Sequence, residues 1–291
     1  MVAGRTVLIL LLLLIPVLAV AEGSCDKCHP QHYDAAGGCT TCHRGNPRTD
    51  RPDLAHASLI GARYAHFALP DSPVMQYGLQ LLEKTGCRRC HRSGGKGNVL
   101  ASDLDRLLPG ARPEDVLRSI RQPVLFMPDF AFAEATAVSL VNALFANAAQ
   151  AEPQVGETPL VVHFEGVERA ENRFEKHCGG CHQLLTNRWG GLGHGAIGPN
   201  LSGLFSEFYP HPFTDVERWS RANLEKWLKN PRAIRKAARM APQGLEPDEL
   251  RQVLEFFEAQ EPAPRGNNPA PANPPAVTAV REQDATFSPR P

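Results

Sequence analysis

The eight cysteines fall into four pairs, Cys25/Cys28, Cys39/Cys42, Cys87/Cys90 and Cys178/Cys181, each with two residues between its members. A histidine follows each pair at once: His29, His43, His91 and His182. The chain has 11 histidines in 291 residues, so four such placements would arise by chance roughly twice in a million. Thiols at this spacing can serve three chemistries. A redox couple needs one pair and no histidine. A zinc site could gather Cys25, Cys28, Cys39 and Cys42, but it leaves the histidines and the other two pairs unexplained. Covalent haem attachment uses every residue of the motif, because two thiols add to two vinyl groups and the adjacent imidazole is carried to the iron. The spacing therefore predicts four covalently bound haem c groups, with His29, His43, His91 and His182 as proximal iron ligands.

The compartment follows from the first residues. Val7 to Val20 is almost wholly apolar, Arg5 precedes it, and Ala19-Val20-Ala21 supplies a small-x-small step before Glu22. That is the layout of a cleaved signal peptide over residues 1–21. The apolar run is shorter than a bilayer span and contains Pro16, so no stable membrane span is expected after cleavage. The expected location is periplasmic or extracellular. Basic and acidic residues balance, 31 against 31, which gives no basis for nucleic-acid binding or a polybasic membrane contact.

The elements that must position the four motifs divide the chain unevenly. Residues 22–70 hold the first two motifs in a polar stretch with too little apolar sequence for an ordinary core, so the expectation is an irregular dihaem module. Residues 71–150 surround the third motif. Val74, Gly78, Leu79 and Leu82 recur at helical spacing before Cys87, and 113–120 and 132–149 read as helices. Residues 151–164 are a polar linker with Pro153, Gly156 and Pro159. Residues 165–260 repeat the plan around the fourth motif, with helices over 170–177, 219–229 and 247–259. From residue 261 to 291 the chain is rich in Pro, Ala and Asn and is expected to be a disordered tail. The fold expected is mainly α.

Residues 72–149 and 165–260 each resemble a class I cytochrome c domain: a helix, the C-x-x-C-H site, a middle helix, a methionine, then a last helix. Ala170, Phe174 and Cys178 match the family's small–aromatic–cysteine spacing, and Gly198-Pro199-Asn200-Leu201-Ser202-Gly203-Leu204 resembles its G-P-x-L-x-G loop. The resemblance implies two small all-α domains. It also implies that the Pro199 carbonyl accepts a hydrogen bond from His182, fixing the ring. The first segment has Gly97-Asn98-Val99-Leu100 and no Gly-Pro, a departure from the pattern.

Each iron also needs a partner on its far side. The resemblance implies Met127 opposite His91 and Met240 opposite His182, since both sit beside a proline ahead of the last helix. Met75 is expected to be packing. The two N-terminal haems have no spare methionine, so His56 and His66 are the expected distal ligands, with His32 as the alternative because it could reach the neighbouring haem. Two bis-histidine and two His/Met haems would form a gradient, as thioether ligation raises the reduction potential.

These features lead to the expectation of an electron-transfer protein relaying between redox partner proteins, with no catalysis of its own. The alternative is an enzyme, a multihaem reductase of a small oxyanion or a peroxidase, using an open haem. The overall layout also looks like cytochromes encoded with selenite or tellurite reduction systems in metal-respiring bacteria. Arg218, Arg221, Lys226, Lys229, Arg232, Arg235, Lys236 and Arg239 concentrate positive charge before Met240, which reads either as a solvated helix face or as a docking surface for an acidic partner or an oxyanion.

Overall fold

The computed structural model describes residues 24–108, 110–152, 172–210 and 218–258. The expected signal segment, most of the linker, the tail from residue 261, Ala170, His163 and His211 lie outside these residues. The described chain is mainly helical. Residues 24–59 carry only short turns and the helices α1 (Cys39–His43) and α2 (Pro52–Ala55), and none of their described side chains is buried. Protein side chains alone give this part no core.

The first core is built from α3 (Pro73–Lys84), α4 (Pro113–Arg121) and α5 (Glu134–Gln150). Proline opens α3 and α4, where its fixed φ suits a first turn and its missing N–H costs nothing. Helix α5 is buried almost all round from Ala137 to Ala148. It is covered by α3, by α4 and by the 3-10 segment Ala62–Ala68. Ile60 and Tyr64, at 0 % and 2 % exposure, belong to this same core, so packing runs continuously across residue 70. Helices α3 and α5 cross at backbone contact. A Cβ on Gly78 would stand 1.9 Å from the Ser139 carbonyl oxygen. Gly78→Ala should therefore cost about 3 kcal/mol through overpacking, seen as a lowered thermal midpoint, while exposed Gln80→Ala on the same helix leaves it unchanged.

The second core lies around Phe174, which is fully buried with ring centres 6.3 Å from Phe256 and 6.1 Å from Phe257. Those two rings come from α8 (Pro247–Glu258), and Leu224 and Leu228 of α6 (Arg221–Lys229) complete the packing. Ser220 caps α6 by accepting from the Asn223 N–H, and Asn230 caps the short α7 (Pro231–Ile234) by accepting from Ala233. Two features differ from an all-α domain with a regular entry helix. The chain enters Cys178 through a π-turn, Glu175–Gly179, a geometry common where a helix must aim functional side chains. It leaves through an antiparallel hairpin, β1 (Leu184–Thr186) and β2 (Gly190–Leu192), with Leu184 opposite Leu192. Thr186 Oγ1 closes this hairpin, donating to Gly190 O at 3.0 Å and accepting from Trp189 N at 2.9 Å.

The start of α8 is tied to the entry turn by Glu249, which meets Lys176 Nζ at 3.0 Å, His177 Nε2 at 3.3 Å and Arg173 at 3.5 Å. The hydrogen bond from Lys176 leads in holding its carboxyl far below the ordinary range, at about 2. A carboxyl depressed in the folded state binds fewer protons there than in the unfolded chain. Its contribution is thus fully present above the unfolded value of 4.5 and lost as pH falls toward about 2. Thermal midpoints of Glu249→Gln should converge with the parent's across that window and separate from them above it.

Candidate functional site

The fourth motif is half enclosed, with Cys181 exposed. Cys178 is buried, and His182 N–H donates to Cys178 O at 2.9 Å, which turns the imidazole out of the helical segment. The returning loop then locks on in three steps. Gly198 N donates to Cys181 O at 2.8 Å, His182 Nδ1 donates to Pro199 O at 2.8 Å, and Leu201 N donates to Gln183 O at 2.8 Å. A Cβ on Gly198 would stand 2.2 Å from His182 Cε1, so glycine is needed where the loop crosses the ring. Met240 packs on the second core, and Trp227 Nε1 donates to its sulfur at 3.1 Å. Sulfur is a weak acceptor with lone-pair capacity to spare.

The third motif repeats the same three steps without a Gly-Pro. Ala101 N donates to Cys90 O at 2.9 Å, His91 Nδ1 donates to Ser102 O at 2.8 Å, and Leu104 N donates to Arg92 O at 2.9 Å. A close glycine recurs as well. Gly97, at φ +119°, lies where a Cβ would stand 2.1 Å from His91 O, and Gly193, at φ +77°, where it would stand 2.0 Å from His182 O. The two segments thus hold their histidines by one backbone scaffold. Met127 lies against the first core and Met75 is buried within α3.

In the N-terminal module, His43 Nδ1 donates to Ile60 O at 2.9 Å while Ile60 N donates to His43 O at 2.7 Å. Two histidine pairs meet there. The rings of His29 and His56 have centres 5.9 Å apart, and those of His32 and His43 are also 5.9 Å apart. Two imidazoles facing one metal from opposite sides, with bonds of about 2 Å, have ring centres about 6 Å apart. His66 Nδ1 instead lies 2.9 Å from Ser72 Oγ. Its ring borders a cavity of about 610 Å³ that Cys39, Cys42, His43 and His32 also line.

These residues fit covalent haem better than the other two chemistries. All eight cysteines are free thiols. Burial pushes the Cys178 thiol up to about 12 and the Cys90 thiol up to about 11, opposite to the depressed values of active redox cysteines. Among the described residues no three His, Cys, Asp or Glu side chains converge as a metal site, so the zinc arrangement of Cys25, Cys28, Cys39 and Cys42 is not built. Three of the four motif histidines have Nδ1 committed to a carbonyl, the arrangement that fixes a ligating imidazole and leaves Nε2 for the metal. Arg44, next to His43, donates to Ala111 O at 3.2 Å, yet its Nη2 is buried with no partner. An orphaned buried donor of this kind suits an anionic group such as a haem carboxylate.

Sequence reasoning missed Ile60, Ser102 and Trp227. The first two act through carbonyl oxygens, which carry no residue signature. The basic stretch is partly neutralised: Arg218 meets Glu207 at 3.9 Å, and Arg221 meets Glu225 and Glu258. Lys226, Lys229, Lys236 and Arg239 are exposed.

A helical segment with a C-x-x-C-H motif, a carbonyl-held histidine and a loop methionine is an arrangement that suits haem binding and electron transfer. The family model of cytochrome c matches residues 167–261, so this part of the chain is similar to that family. That match supports a c-type cytochrome with covalently bound haem c and a role in haem-based electron transfer. No curated protein and no solved structure matches the chain.

Proposed function

We propose that the protein is an exported four-haem c-type cytochrome that relays electrons between redox partners. The observation that carries this is the pairing of His29 with His56 and of His43 with His32 at the separation expected across one metal. His29, His43, His91 and His182 would hold iron on one side, and His56, His32, Met127 and Met240 on the other. Haem supplies a one-electron couple whose potential depends on these ligands. The chain's own part is to keep the His43, His91 and His182 imidazoles oriented through Ile60, Ser102 and Pro199, and a side chain on each face of the iron would exclude substrate. The N-terminal pair is the low-potential end and the two domains with methionine ligands the higher end.

Contacts between consecutive sites favour a relay over isolated centres. His32 belongs to the first motif's segment and pairs with the second motif's His43. Arg44 then joins the second motif to the first domain through Ala111 and through the Phe145 ring, 5.8 Å away. Among the described residues no helix is long and apolar enough to cross a membrane. An acidic partner would dock over Lys226, Lys229, Lys236 and Arg239, beside Met240. The resemblance in layout makes an oxyanion reductase of selenite or tellurite type the first partner class to try.

The test is low-temperature EPR of the oxidised holoprotein. Two bis-histidine and two His/Met low-spin signals are expected. A stoichiometric high-spin ferric signal would sink the relay in favour of an enzyme with an open haem.

A further inference from the structure

The two residues between Cys87 and Cys90 are arginines, each only 8 % exposed. Burying a guanidinium is costly unless its donors are met. Arg88 turns back on its own segment, donating to Ser93 O at 2.8 Å and pairing with Glu83. Arg89 crosses to the other domain. Its Nη1 donates to Asn200 O at 3.1 Å, and its guanidinium lies 5.2 Å from the Tyr209 ring centre. The Tyr209 hydroxyl donates to the same Asn200 carbonyl at 2.9 Å. The backbones meet as closely. Gly203 sits at φ +69°, and a Cβ there would stand 2.3 Å from Arg89 O.

Asn200 follows Pro199, whose carbonyl holds His182. Asn200 Nδ2 donates to Phe126 O at 2.8 Å, one residue before Met127, and its Oδ1 accepts from Ser202 N at 3.0 Å. Ser202 is fully buried, its Oγ accepts from Leu185 N at 2.9 Å, and its hydroxyl lies close enough to the Cys90 thiol to offset part of the rise that burial gives that thiol. Residues 199–202 therefore touch an attachment cysteine of the third site, the chain beside its methionine, and the proximal histidine of the fourth.

We infer that this junction is the electron path between the third and fourth sites, with Ser202 and Arg89 as positioning residues that press the Cys90 sulfur against the loop holding His182. It rests on the proposal above that both sites carry haem. One electron leaves the ferrous iron at one site, which is oxidised, and reduces the ferric iron at the other. No proton moves and no bond forms or breaks. The bonded route leaves Cys90 along the backbone to Arg89, crosses from its Nη1 to Asn200 O, passes back one residue to Pro199, and reaches the His182 imidazole through the Pro199 carbonyl.

The experiment compares holoprotein of the parent with Ser202→Ala, Arg89→Gln and the milder Arg89→Lys. Haem count, potentiometry and freeze-quench EPR after a substoichiometric pulse of reductant are read on each. The expected result is a full haem count with unchanged potentials and ligand signals. Redistribution between the two His/Met signals should slow about tenfold in Ser202→Ala and Arg89→Gln, a barrier change of about 1.4 kcal/mol, and less in Arg89→Lys. If a more severe variant loses a haem, the haem-replete ones decide. Unchanged redistribution in haem-replete variants overturns the junction as the path. A parent lacking haem at the third or fourth site overturns the underlying proposal, and this inference with it.

Discussion

His56→Ala should convert one low-spin ferric haem signal into a high-spin signal and leave the other three as they were. The ring it removes lies 5.9 Å from His29, while the second motif's His43 faces His32 at the same separation. With His56 as the proposed distal ligand, its removal would leave that iron five-coordinate, or with a weak-field water in its place, and both outcomes are read directly by EPR. The potential of the altered site should rise, because an imidazole ligand that favours the ferric state is gone. His32→Ala should do the same at the second site, and the double variant should show two high-spin haems. His66→Ala is the discriminating control. His29 and His43 face His56 and His32 rather than His66, so its loss should leave all four signals low-spin. A high-spin signal in His66→Ala with none in His32→Ala would exchange their assignments. Such a signal is also the functional test of saturation, since only an open iron can bind a small substrate.

The difference between what could and could not be read from the sequence follows the chemistry of each feature. The cysteines and histidines of the four motifs stand out in the sequence because the proposed attachment chemistry uses their side chains at a fixed local spacing. The main helices are legible for a similar reason. Apolar periodicity and an opening proline place α4 over 113–120 in expectation and Pro113–Arg121 in the structure, and α8 over 247–259 and Pro247–Glu258. Features set through space were not legible. Choosing His32 or His66 depends on how the module folds back, and no local pattern separates them. Ser102 and Ile60 contribute carbonyl oxygens that any residue could supply, so a missing Gly-Pro in the third segment says nothing about whether its histidine has an acceptor. The β1–β2 hairpin has three-residue strands, too short to show alternation, and its second strand begins with two glycines that read as a loop. Asn200 gives no sign in the sequence that its side chain spans to Phe126 in the other domain.

Gly198→Ala should disable the fourth site more severely than any change to Pro199. The added methyl would stand 2.2 Å from His182 Cε1 and 2.5 Å from Nδ1, inside the ring's own contact surface. Either the loop retreats, withdrawing the Pro199 carbonyl from its 2.8 Å contact, or the imidazole turns and loses the same bond. Both routes leave an N–H without its acceptor. Losing such an outer partner typically costs a metal-ligating histidine roughly 10–100-fold in function. The lost bond also makes the imidazole less basic, which favours ferrous iron. The fourth potential should rise by about 59 mV for each tenfold change in the one-electron equilibrium. A displaced ring would also disturb the proposed pairing with Met240 across the iron, so the weak near-infrared band of Met-ligated ferric haem should diminish by the share belonging to this site. Pro199→Ala is the contrast, because the accepting atom is a main-chain oxygen that alanine keeps. It should retain the band and shift the potential little. Equal damage from both substitutions would mean that the proline ring, and not the carbonyl geometry protected by Gly198, holds His182 in place.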